Sequence, residues 1–137
     1  MIVLPPEELA KIHRHAKATY PEECCGFLIG RGDRVLETRA TENVHPDHRQ
    51  TRYTVPPLEV LRLDRELRAS DREHLGFYHS HPEHPAVPSE FDLARAWPGF
   101  AYLIVSLVGG EPRESRCWRL EPVGKRFIEE SLGGQGT

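Results

Sequence analysis

Three short apolar runs constrain this chain more than anything else in it: CCGFLIGR at 24–31, HLGFYHSH at 74–81 and FAYLIVSLV at 100–108. None approaches the roughly 18 apolar residues of a membrane-spanning helix. Each is bounded by polar or turn residues, so each reads as a buried strand. Amphipathic helical patterns lie before the first run and between the first and second. Leu9, Ile12 and Ala16 in EELAKIHRHAKAT fall at i, i+3 and i+7, with Glu7 and Glu8 suited to a first turn, and Val60, Leu63 and Leu67 form a second stripe in PPLEVLRLDRELRAS.

The remaining elements follow from local chemistry. Ile2 to Leu4 is a short first strand, YPEE ends the first helix, and GD turns CCGFLIGR back into a second strand, RVLETRATEN. VHPDHRQTRYTV is a polar loop feeding a short strand, SEFDLARAW a short helix, and ESRCWRLE the antiparallel partner of FAYLIVSLV across a GGEP turn. Residues from Val123 onward form a last short strand or helix, and GGQGT frays. Without a regular βαβ rhythm, the fold class is α+β: a mixed, mainly antiparallel sheet flanked by helices.

At 137 residues the chain suits a single domain, taken as 1–123 with a C-terminal extension at 124–137. With 38% apolar residues, 28% charged residues of mixed sign and a net charge of −3, neither disorder nor a polyanion-binding surface is indicated. The densest basic stretch, Arg62 to Arg72, is interleaved with Asp64, Glu66 and Asp71, as on a solvated helix face. Neither nucleic acid nor a membrane is expected as a partner. MIVLPPEELAKIHRH lacks the pattern of a signal peptide, so a cytoplasmic location is expected. Cys24, Cys25 and Cys117 make neither a disulfide framework nor a metal knuckle and are read as core residues.

The histidines demand a separate account. Of eight in the chain, His74, His79, His81 and His84 fall within eleven residues. Strand residues i and i+2 face the same way, so His79 and His81 can present two imidazoles side by side. Two imidazoles and one carboxylate, with a fourth position open, make a catalytic zinc site, and Asp92 is the natural third ligand once Pro82, Pro85 and Pro88 bend the chain back. Ser89 and Asp92 also read simply as a capping box at a helix start. Sequence alone leaves both roles open.

The segment HSHPEHPAVPSEFD, with His79, His81, Ser89 and Asp92 in the pattern H-x-H-x(7)-S-x(2)-D, resembles the metal motif of the JAMM (MPN+) metallopeptidases, compact prokaryotic type. YPEECCGFLIGR resembles the family segment that carries an upstream glutamate, which falls on Glu23 rather than Glu22. The resemblance runs from the first helix through AYLIVSL and implies an MPN/JAMM fold of cytidine-deaminase-like arrangement. It also implies one Zn²⁺ per chain held by His79, His81 and Asp92, with Glu23 as general base and Ser89 as oxyanion donor.

By the same resemblance, the reaction is hydrolysis of a peptide or isopeptide bond at the C-terminal Gly-Gly tail of a ubiquitin-like sulfur-carrier protein. The tail is expected to dock by strand addition at a sheet edge beside the metal. Apolar edge strands are compatible with a homodimer without requiring one. The alternative is a non-catalytic MPN scaffold. A metallo-β-lactamase-like or cupin site would need a further histidine downstream, and none follows His84.

Overall fold

The computed structural model describes residues 1–123 and 126–134. Its elements are β1 (Ile2–Val3), α1 (Pro6–Thr19), β2 (Cys25–Arg31), β3 (Arg34–Thr41), α2 (Pro57–Arg68), β4 (Glu73–Pro82), α3 (Glu90–Arg95), β5 (Ala101–Val108), β6 (Glu111–Leu120), β7 (Phe127–Glu130) and β8 (Leu132–Gly133). The strands make one eight-stranded sheet in the order β7-β6-β5-β4-β2-β3-β1-β8. The β1–β3, β1–β8 and β4–β5 pairs are parallel and the other four antiparallel, which is the mixed α+β class read from the sequence.

The central runs are continuously apolar because both faces of the sheet are covered. On one face α1 sets Ile12 and Ala16 against Leu28, Tyr78, Leu103 and Val105. On the other, Leu63 and Leu67 of α2 pack with Phe27, Ile29, Phe77 and Tyr102. Each such aliphatic side chain removed from water contributes about 1.5–3 kcal/mol. Both helices begin with a proline inside the first turn, where the missing N–H costs no hydrogen bond. A Cβ at Gly26 would overlap the Tyr78 ring, so the glycine of CCG lets β2 and β4 lie close.

Two regions differ from the sequence reading. Residues 42–56 contain no strand; the outer side of β3, which β1 pairs only at Arg34, is met at Thr38 by the Glu8 and Lys11 side chains of α1. Asn43 ties this loop together alongside the loop's own backbone bonds, such as Val44 N–H to the Thr54 carbonyl. Its Oδ1 accepts from the His45 and Thr54 N–H groups, at 3.0 and 3.1 Å, while its Nδ2 donates to the carbonyls of Glu23 and Arg52, both at 3.0 Å. The last stretch forms two strands: β7 extends β6, and after Ser131 alone β8 pairs with β1 at the other end of the order. Gly133 is thereby paired with Val3 rather than frayed, and 135–137 lie outside the described residues.

Candidate metal centre

β4 and β2 are the two innermost strands, and their pairing brings the upstream glutamate to the histidines. Cys25 stands opposite His79. The register is pinned one residue earlier, where the Cys24 N–H donates to Ser80 Oγ at 2.8 Å and the Ser80 N–H to the Cys24 carbonyl at 3.2 Å. Glu23 follows the alternation onto the face of Phe27 and Phe77, and is buried there beside His79 and His81. Its backbone is held by the loop: its N–H donates to the Arg49 carbonyl at 2.7 Å, and its own carbonyl accepts from Asn43.

Asp92 arrives from the other side on α3. Ser89 is the N-cap, its Oγ accepting from the Asp92 N–H at 3.0 Å while the Ser89 N–H donates to Asp92 Oδ2 at 2.9 Å. The capping box is thus real, and it aims the same Oδ2 at the histidines: it lies 3.2 Å from His79 Nε2 and 3.0 Å from His81 Nε2, and the two Nε2 atoms stand 3.1 Å apart. One arrangement thus closes the cap and turns Asp92 toward the histidines. Ser89 Oγ uses only acceptor capacity in the cap, so its O–H remains available to donate.

Neighbouring groups fix the donors. His81 Nδ1–H donates to the Pro85 carbonyl at 2.8 Å, which leaves the Nε2 lone pair facing inward. Tyr53 stacks on His79 with ring centroids 4.3 Å apart. Glu23, His79 and His81 each bring one donor atom within 4.8 Å of the others. Glu23 Oε1 is buried without a hydrogen-bond partner, as is His79 Nδ1.

The electrostatics point the same way. Burial pushes the Glu23 carboxyl up to about 9, and the Asp92 charge adds to this. Burial acts in the same direction on Asp92, but its interactions with His79, His81 and the Ser89 N–H hold that carboxyl well below the usual range. Among the described residues no lysine or arginine forms an ion pair with either acid. Two buried carboxylates without a cationic side chain, beside two imidazole lone pairs, are the donor set of a divalent cation. A tetrahedral zinc with bonds of roughly 2.0–2.1 Å separates its ligand atoms by about 3.3 Å, close to the spacings seen here.

The other sequence candidates are disposed of by burial. All three cysteines are free and buried; burial pushes Cys24 up to about 12 and Cys25 and Cys117 upward as well, which removes them as thiolate nucleophiles. His84 is exposed; His13 meets Ser115 Oγ at 3.2 Å, His15 meets the Tyr78 hydroxyl at 2.7 Å, and His74 sits among Phe27, Phe77 and Phe100. His45, which sequence left without a role, is buried, and its Nδ1 accepts from the Asp47 and His48 N–H groups. Tyr53 was missed; no local pattern marks an aromatic that touches His79 only through the tertiary fold. β4 and β2 are interior strands, so among the described residues neither offers an open edge to a peptide tail.

Residues 5–121 match the family described as prokaryotic homologues of the JAB domain. The chain is 40% identical over 115 residues to the desampylase of Haloferax volcanii, covering 82% of this chain and 78% of that protein. It is 29% identical over 107 residues to the CysO-cysteine peptidase of Mycobacterium tuberculosis, covering 77% and 73%. Among solved structures it is similar to a Desulfitobacterium hafniense protein at a TM-score of 0.80 and 31% identity, covering 96% of this chain and 91% of that one. A JAB1/MPN domain protein from Archaeoglobus fulgidus shares the fold at a TM-score of 0.62 and 20% identity, covering 97% of each chain.

Proposed function

The chain belongs to the prokaryotic homologues of the JAB domain, and from that premise we propose that it is a zinc-dependent peptidase. Its substrate is the amide or isopeptide bond that follows the C-terminal Gly-Gly of a ubiquitin-like sulfur-carrier protein. The observation that carries the metal chemistry is the convergence of His79 Nε2, His81 Nε2 and Asp92 Oδ2 at 3.0 to 3.2 Å, with the orphaned Glu23 Oε1 beside them. The relatives named desampylase and CysO-cysteine peptidase support the substrate class.

His79, His81 and Asp92 would hold the ion. Bound there, zinc would supply the Lewis acidity that brings the pKa of water towards about 7 and polarises a carbonyl. Glu23 Oε1, with no competing hydrogen bond, takes the proton of the attacking water and delivers it to the leaving nitrogen. A cation held beside Glu23 would oppose the upward push of burial on its carboxyl, leaving the carboxylate to act as the base. Ser89 donates its free O–H to the oxygen on which negative charge develops. The C–N bond breaks, the carbonyl carbon keeps the hydroxyl, and the amine leaves with the proton. Tyr53 shields His79 on the loop side.

The test is mass-spectrometric detection of cleavage of a sulfur carrier extended beyond Gly-Gly, before and after chelation and with zinc restored. Cleavage at the Gly-Gly boundary that is lost on chelation and regained with zinc supports the assignment. Cleavage indifferent to chelation overturns it.

A further inference from the structure

Two of the three zinc ligands depend on one short connection, residues 83–88, which leaves the end of β4 and enters α3 at Ser89. From within it the Pro85 carbonyl accepts from His81 Nδ1–H at 2.8 Å, and its far end sets where the cap that aims Asp92 begins. The first residue of the connection is an anomaly. Glu83 has a φ of 61°, and every other described residue with a positive φ is a glycine. Backbone conformation alone favours glycine at such a position, so the side chain that stands there serves a purpose a glycine could not.

That purpose is visible in its contacts. The Glu83 N–H continues the β4–β5 ladder by donating to the Leu107 carbonyl at 2.7 Å, next to the turn that follows β5. Glu83 Oε1 accepts from the Gly109 N–H at 2.9 Å, and Oε2 accepts from the Gly110 N–H at 3.2 Å and the Tyr20 hydroxyl at 2.8 Å. Gly109 and Gly110, with φ of 60° and 80°, are the two-residue turn between β5 and β6, and Tyr20 caps the end of α1. One carboxylate therefore fastens the start of the connection to a hairpin turn and to a helix end. A second tie fastens its middle: Trp118 on β6 donates its Nε1–H to the carbonyl of fully buried Ala86 at 3.0 Å. Pro85 lies between these two ties, its own φ fixed by its ring.

The hydrogen bond at Nδ1 decides which imidazole nitrogen is left free for a metal. Resting on the metal ligands assigned above, we infer that Glu83 is a positioning residue of the zinc site. Its carboxylate locks residues 83–88 onto the β5–β6 turn, so that the Pro85 carbonyl holds His81 with the Nε2 lone pair toward His79 and Asp92. Glu83 acts through the connection and takes no part in the chemistry.

The test compares purified wild type with Glu83→Gly, Glu83→Gln and Glu8→Ala. Competition with a chromophoric chelator gives the zinc Kd, and in the metal-free proteins long-range ¹H–¹⁵N NMR of the His81 ring reads its tautomer while thermal melts read stability. Glu83→Gly relieves the backbone but removes the carboxylate, so zinc binding should weaken by about 10–100-fold and His81 should show a mixture of tautomers. Glu83→Gln, which keeps one acceptor oxygen, should recover part of the affinity. Glu8→Ala, whose lost contacts are with Thr38 and Lys11, should melt earlier yet bind zinc as wild type does. Wild-type affinity and a single Nδ1–H tautomer in Glu83→Gly overturn the positioning role. Equal weakening in Glu8→Ala also overturns it, by tracing the effect to stability alone. Failure of wild type to bind zinc overturns the metal assignment and this inference with it.

Discussion

Glu8 and Glu23 are drawn out of solvent on opposite faces of the same sheet, and their environments are opposites. Glu8, on α1, accepts from the Thr38 N–H at 2.7 Å, from Thr38 Oγ1 at 2.9 Å and from Lys11 Nζ at 3.0 Å. Burial would raise its pKa, but Lys11 and Thr38 win and hold it lowered. Glu23 is more deeply buried, its Oε1 has no partner, and burial together with Asp92 pushes it up to about 9. A carboxylate that serves the fold is given every hydrogen bond it needs. Glu23 Oε1, without a partner among the described residues, is tolerated because the rest of the sheet over-determines its position.

The largest effect expected at the metal end is that of His81→Ala, which removes one of two imidazoles. Turnover should fall by more than about 10³-fold together with zinc content, measured by elemental analysis and kinetics on one preparation. Ser89→Ala should keep zinc and slow kcat by about 10²–10³-fold, with a further cost of about 1 kcal/mol in stability because the cap of α3 is lost. Loss of zinc in that variant would mean that the cap, and not oxyanion donation, is its main contribution.

Glu8→Ala sharpens the contrast from the structural side. It strips the Thr38 N–H of its partner and should destabilise the protein by about 1–3 kcal/mol, read as a lower thermal midpoint, with turnover unchanged. The smallest effect is a tilt in pH dependence, visible in the metal-free protein. The lowered pKa of Glu8 stabilises above its ordinary 4.5, and that contribution disappears as pH falls through its folded value. The raised pKa of Glu23 stabilises fully below 4.5, and that contribution is lost as pH rises through about 9. Glu8→Gln should therefore flatten the acid limb of stability against pH, and Glu23→Gln the alkaline limb.

Much of the site was legible because its parts are local. Period-two alternation placed His79 and His81 on one face, and the Ser89–Asp92 spacing announced a helix start whatever else it did. Glu23 was found through the resemblance of its segment to a family motif, since an acid at a helix–strand junction has no distinguishing local pattern. What sequence could not show depends on contacts between distant segments. Asn43 organises the 42–56 loop, Tyr53 closes over His79, and Arg52 and Arg95 each stack on Phe91. The expected strand in that loop did not form, and the outer side of β3 is met by β1 at Arg34 and by side chains of α1 at Thr38.

The most direct test of the central claim is metal content and turnover on the same preparations of wild type and Glu23→Gln, with a Gly-Gly-extended carrier as substrate. One zinc per chain is expected in both proteins and cleavage in wild type alone, if Glu23 handles the proton while His79, His81 and Asp92 hold the ion. Loss of zinc in the variant would make Glu23 a ligand, and cleavage by the variant would show that the proton travels by another route; either result contradicts the account.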